Sequence, residues 1–219
     1  MLSKIFNIYF QSWQIVKKNI VFLIGIFGGV YLFLELLTYL SNLAINSLLI
    51  GLITSLLNLF FFCLFFLGIT KIVVKLSQSE EITIKDLFSQ WNLIFNFFVL
   101  YLFSIIVFYL LHRFFMFFAV NTGLPDLFAL AWLFIVVFIF LLFFSFINFF
   151  MVKYQMGPIN SFKQNFLVVK KDILAVFVFY LIFLILNLLG LMFFYIGFIL
   201  TLPITFLAQA IFLDKLEDF

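Results

Sequence analysis

Charge is scarce in this chain, and so are the residues from which most sites are built. Charged residues make up 10% of the 219 positions, against about 25% in ordinary soluble domains. A globule of this size cannot coat itself for water with so little charge, which excludes a soluble enzyme, a nucleic-acid module and a disordered chain. There is one cysteine, Cys63, and one histidine, His112. A disulfide framework is therefore excluded, and these two residues alone cannot close a zinc site. No paired acids lie within an apolar run, no serine and histidine stand at a useful spacing, and no phosphate-binding loop is present. The expectation is a protein that is not an enzyme, with no cofactor and no metal.

Apolar residues fill the rest: 68% of the chain is hydrophobic and 40 residues are Phe. The missing solvent is lipid, and the chain reads as an all-α integral membrane protein. Phe, Ile, Asn and Lys are abundant while Ala is scarce. That pattern fits a codon-level bias of an AT-rich genome, with lipid-facing aromatic bulk as the other reading. Under either, runs such as Phe60-Phe61-Phe62 and Phe143-Phe144 mark no cofactor box.

A crossing helix needs about 20 apolar residues to pass roughly 30 Å of hydrocarbon. Between Asn19 and Thr70 the only charge is Glu35, and polar breaks at Ser41-Asn42 and Asn46-Ser47 divide the stretch. The expected spans are 20–40 and 48–70. A third follows near 93–111 and a fourth near 127–150. The uncharged run from Ile173 to Leu213 accommodates two more, with Gly190 and Gly197 bracketing the turn. Six spans result, in one membrane domain covering residues 1–219.

Lys and Arg are retained on the cytoplasmic side of a membrane. With six crossings one side holds Lys4, Lys17, Lys18, Lys71, Lys75, Lys85, Lys153, Lys163, Lys170, Lys171 and Lys215, and the other only Arg113. Both termini are expected in the cytoplasm, in a multi-pass protein of the cytoplasmic (inner) membrane. The net charge of +3 belongs to that inner face, where it meets anionic lipid headgroups, not nucleic acid. No cleavable signal is expected, the first span serving as the targeting segment.

The inner-face segments are patterned. Lys4, Asn7, Gln11, Gln14 and Lys18 form one stripe near the N-terminus, and Ile5, Tyr9, Trp13 and Val16 the opposite one. This is the pattern of an amphipathic helix lying among headgroups. A second such helix is expected from Thr83, whose hydroxyl can cap with Asp86. Its apolar stripe is Ile84, Leu87, Trp91 and Ile94, and its polar positions include Asp86, Ser89, Asn92 and Asn96. A third opens at Gly157-Pro158, with Ile159, Phe162, Phe166 and Val169 as its apolar line and Lys163, Lys170 and Lys171 off it. Aligning Trp13, Trp91 and Phe166 makes the chain three copies of one unit, about 4–70, 82–150 and 157–213. Each unit is an interfacial helix followed by a hairpin of spans.

Met156-Gly157-Pro158, Ser161-Phe162, Asn165-Phe166 and Lys170-Lys171-Asp172, followed by Gly190, Gly197 and Thr201-Leu202-Pro203, resemble a known pattern. It is that of the membrane domain attached to some glycerophosphoryl diester phosphodiesterases, and of its stand-alone six-span bacterial and archaeal relatives of unknown function. The match is best over 156–213, weaker over 5–40 and loose between. Phe212-Leu213-Asp214 stands where that group often has a tyrosine. The resemblance implies the six-span fold and no phosphodiesterase chemistry, since that domain carries no catalytic residues.

Ionisable residues within a span are candidates for function by default. By the repeat alignment Glu35, His112, Arg113 and Asn187 sit at similar depth, near the outer interface. Two readings stand: a Glu35–Arg113 pair with His112 beside it, or Glu35 reaching the outer headgroups while Arg113 meets lipid phosphate. Asn58 and Asn148 lie within spans two and four, as interhelical hydrogen-bonding groups or as part of a binding cavity. Pro203 is expected to bend the last span, with Thr201 or Thr205 re-satisfying the carbonyl it frees. Gly25 and Gly29 have the spacing that permits close helix contact. Trp13, Trp91, Lys17, Lys18, Lys163, Lys170 and Lys171 are the expected membrane-interface residues. The whole implies a scaffold or accessory subunit working with a membrane protein partner or a second copy. The alternative is a permease component for a small solute or lipid.

Overall fold

Backbone amides cannot be left unpaired in hydrocarbon, so long apolar runs close their hydrogen bonds within themselves, as helices. The computed structural model describes residues 1–43, 48–122, 132, 135–136, 144–192 and 196–217. Among these residues the regular structure is helical throughout, with no strand. The helices are α1 (Leu2–Lys18), α2 (Ile20–Leu43), α3 (Leu48–Ser77), α4 (Ile94–Thr122), α5 (Ile147–Tyr154), α6 (Pro158–Lys171), α7 (Ile173–Met192) and α8 (Ile196–Glu217). Two 3-10 turns, Ile84–Phe88 and Trp91–Leu93, precede α4.

Five of these helices, α2, α3, α4, α7 and α8, are long and apolar enough to cross a membrane. Their positions match the expected first, second, third and last two spans, with α2, α3, α4 and α8 running past the expected ends. The expected fourth span, 127–150, falls largely outside the described residues. Its described end is α5, where every residue from Ile147 to Val152 is buried.

α7 packs along α8, and α2 along α3; α8 also touches α1, α2 and α3, which places it at the centre of the bundle. Close approach depends on two glycines. A Cβ on Gly190 would run into the Thr201 side chain and lie 3.1 Å from the Gly197 backbone, so α7 and α8 approach closely at this glycine. A Cβ on Gly68 would collide with the Leu87 carbonyl, so the first 3-10 turn rests directly on the α3 backbone. Gly25, Gly28 and Gly29 make no such approach among the described residues, where a Cβ on any of them meets nothing within 4 Å.

The three inner-face segments depart from their expected patterns in an instructive way. α1 buries Ile5, Ile8, Tyr9, Ser12 and Val16 against the bundle, while Trp13, with Phe6 and Phe10, is exposed. The second segment has the expected Thr83–Asp86 cap but is the pair of 3-10 turns, not an α-helix. Asp86, expected on the polar side, is buried, while Ile84 and Trp91 are exposed. Its carboxylate draws the chain inward by accepting hydrogen bonds from the Thr83 N–H at 2.7 Å and hydroxyl at 3.0 Å. α6 starts with Pro158 at its first turn as expected, yet it buries Ser161, Asn165, Val168 and Val169 and exposes Ile159, Phe162 and Phe166. The Asn165 side-chain oxygen explains that choice, since it accepts the Phe146 N–H at 3.0 Å, just ahead of α5.

Pro203 stands inside α8. The carbonyl that a proline frees is four residues back, here Ile199. The nearby hydroxyls go elsewhere: Thr201 donates to Phe198 O at 3.4 Å, and Thr205 to Thr201 O at 2.9 Å and Leu202 O at 3.0 Å.

Candidate functional site

Polar side chains placed in apolar helices must find partners, and here they find each other. Asn58 of α3 donates to the Thr38 hydroxyl of α2 at 2.9 Å, with Thr54 and Ser41 bonded beside them at 3.1 Å. Asn148 of α5 donates to the Thr70 hydroxyl of α3 at 3.1 Å. Asn187 of α7 donates to the Thr205 hydroxyl of α8 at 3.2 Å. Gln209 of α8 donates to the Tyr180 hydroxyl of α7 at 2.5 Å and to the Ser145 carbonyl at 2.6 Å. Each bond ties one helix to another.

Charge gathers at one end of the bundle. Lys75, at the end of α3, pairs with Asp86 at 2.7 Å, and Lys153, at the end of α5, with Asp214 of α8 at 2.8 Å. Burial acts to raise the Asp86 carboxyl, but the hydrogen bonds from Lys75 and Thr83 outweigh it and hold it below the usual carboxylate value. Ser77 donates to Asp214 at 3.4 Å, Lys215 to Gln11 at 3.3 Å and Asn92 to Gln155 at 2.9 Å. Tyr9 of α1 stacks on Phe179 and donates to its carbonyl at 3.0 Å. Burial, aided by the neighbouring Tyr180, pushes the Tyr9 phenol up.

Above that end lies a cavity of about 460 Å³ between α3, α4, α5, α7 and α8. Its wall is mostly aromatic and aliphatic, and its polar groups are Ser104, Ser145, Asn148, Tyr180 and Gln209, with Tyr101 at the side. The volume falls within the range of about 300–1,000 Å³ typical of small-molecule sites.

The expected site residues distribute as follows. Asn148 lines this cavity; Asn58 lies in a shallower recess between α2 and α3. Glu35 is exposed on α2, and on α4 Arg113 is exposed and His112 half-buried. The Glu35–Arg113 pair is not among the ion pairs of the described residues. Lys17, Lys18, Lys163, Lys170 and Lys171 are all exposed, as are Trp13 and Trp91. Gln209, Tyr180, Ser145 and Thr70 were not anticipated. Gln209 was open to the same test that marked Asn58 and Asn148, an amide in an uncharged run; a tyrosine or serine in such a run carries no comparable signal. Comparison of the chain with protein-family models, curated proteins and solved structures gives no match.

Proposed function

We propose that this chain is a non-enzymatic scaffold or accessory subunit of the cytoplasmic membrane, with six spans and both termini cytoplasmic. The observation that carries the reading is the use of the interior polar groups. Asn58, Asn148, Asn187 and Gln209 each donate to a residue of a neighbouring segment, so they hold the bundle together before they do anything else. Ser77 and Lys153 meet on Asp214, so the ends of α3 and α5 share one end of the bundle. An even number of crossings between them is what that arrangement supports. The position of Gly157, Pro158, Gly190, Gly197 and Pro203 in α6, α7 and α8 and beside them supports kinship with the phosphodiesterase-linked membrane domains.

The cavity favours a second reading, a permease component for a small solute or lipid. Mass spectrometry of the intact protein released from native membranes separates the two. A stoichiometric protein partner or second copy is expected. A stoichiometric water-soluble solute, with the chain otherwise alone, overturns the scaffold reading in favour of the permease.

A further inference from the structure

We infer that the cavity between α3, α4, α5, α7 and α8 binds one apolar chain ending in an uncharged hydroxyl, a neutral long-chain or isoprenoid alcohol taken from the bilayer. The inference does not rest on the scaffold reading. Its first support is a pair of waiting acceptors. Asn148 and Gln209 are 7% and 6% exposed and both line the cavity. Their N–H groups are spent on Thr70, Tyr180 and Ser145. Among the described residues neither side-chain carbonyl oxygen accepts a hydrogen bond. Neither oxygen is among the sealed, unpartnered polar atoms of the described residues, so each keeps access to the cavity, where a ligand that donates can bond it.

The second support is the rest of the wall. Aromatic and aliphatic side chains form most of it, and its polar groups are hydroxyls and amides, so a tail fits and an ionised head has no counter-charge. The bundle's two described ion pairs lie at its polar end, outside this lining. Thirdly, the cavity has a route to lipid. Ile105 lines it and is 46% exposed on the outer surface of α4. At about 1.5 Å per residue, Tyr180 is roughly 10 Å from the start of α7 and Ser104 roughly 15 Å from the start of α4. Those depths fall within the leaflet nearer the polar end, where the core is roughly 30 Å thick in all. A hydroxyl-ended chain enters from that leaflet without crossing water.

The test uses the full chain in nanodiscs of phosphatidylethanolamine and phosphatidylglycerol, with a long-chain alcohol carrying a diazirine in its tail and an alkyne for detection. Light is expected to attach the probe to cavity residues of α4, α7 and α8, in preference to lipid-facing positions such as Val21 and Leu32 of α2. Unlabelled alcohol is expected to compete at least ~tenfold better than the alkane or the alkyl sulfate of the same length. An alkane that competes equally removes the hydrogen-bonded head from the inference, and an alkyl sulfate that competes equally removes its neutrality; either result overturns it. Labelling spread evenly over α2 and the cavity overturns the site. Ser104→Phe gives an independent arm, since among the described residues the Ser104 hydroxyl bonds only the Leu100 carbonyl of its own helix. Filling the cavity there is expected to lower labelling about tenfold at unchanged helical content, and unchanged labelling overturns the inference. Should that variant fail to fold, the competition series on the unaltered chain decides alone.

Discussion

Asp86 takes three donors at once: the Lys75 ammonium, the Thr83 N–H and the Thr83 hydroxyl. With charge so sparse, this one carboxylate fixes where the segment between α3 and α4 lies. Its folded-state value is depressed, so its contribution to stability is fully present above the unfolded aspartate value of about 3.9. That contribution is lost as pH falls through the lower folded value. Asp86→Asn keeps the shape and can still accept from Thr83, but it gives up the charge that Lys75 meets. A cost of about 1–3 kcal/mol is expected, the scale of a hydrogen bond to a charged group. Hydrogen exchange over residues 80–93 checks this. In the unaltered chain protection should fall on acidification; in Asp86→Asn it should already be low at neutral pH and change little with acid. An acid transition of equal size in the variant would assign the titration to another group.

At the level of elements, glycine positions separate packing that exists from packing that is merely permitted. A methyl at Gly68 collides with the Leu87 carbonyl, whereas one at Gly25 enters open space. Gly68→Ala should therefore destabilise by about 1–3 kcal/mol through overpacking. Gly25→Ala should stabilise α2 by roughly 0.5–1 kcal/mol, because it restricts the unfolded chain without a clash. Denaturant titration of the two variants in the same detergent gives opposite signs if this packing is right. Equal destabilisation would mean that another helix covers the Gly25 face. The two glycines also show what was legible in the sequence. Span positions followed from apolar length, since each crossing needs about 20 residues. The reason for Gly68 lies in a contact with the next segment, which no local spacing reveals. Helix faces were legible only in part, for a physical reason: in lipid both the protein-facing and the outward-facing sides are apolar. Hydrophobic periodicity therefore found the stripe Ile159, Phe162 and Phe166, and that stripe faces out. The inward side of α6 was marked by the small polar pair Ser161 and Asn165, the kind of residue that packs helices in membranes. Of the candidate cavity, Asn148 was readable as an amide inside a span. Its partners Gln209 and Tyr180 come from another part of the chain and are brought there only by the α7–α8 packing.

For the whole molecule the open quantity is the number of crossings, and charge and contact geometry constrain it together. Six crossings put all eleven lysines on one side and Arg113 alone on the other, as retention of positive residues favours. If residues 94–153 crossed only once, Lys153, Lys163, Lys170, Lys171 and Lys215 would move to the far side. The ends of α3 and α5 would then be separated by the membrane, yet Ser77 and Lys153 both reach Asp214. The native chain suits a direct measurement, because its single cysteine, Cys63, is buried and one substitution, Cys63→Ala, clears the background. Cysteines placed singly at Lys85, Lys163 and Arg113 can then be probed with a membrane-impermeant maleimide. Arg113→Cys should label in intact cells, and Lys85→Cys and Lys163→Cys only after permeabilisation. Labelling of Lys163→Cys from outside with Lys85→Cys protected would mean an odd number of crossings between them. The Ser77–Asp214 and Lys215–Gln11 contacts would then have to be abandoned along with the six-span layout, because Asp214 and Lys215 would be carried with Lys153 to the side opposite Ser77 and Gln11.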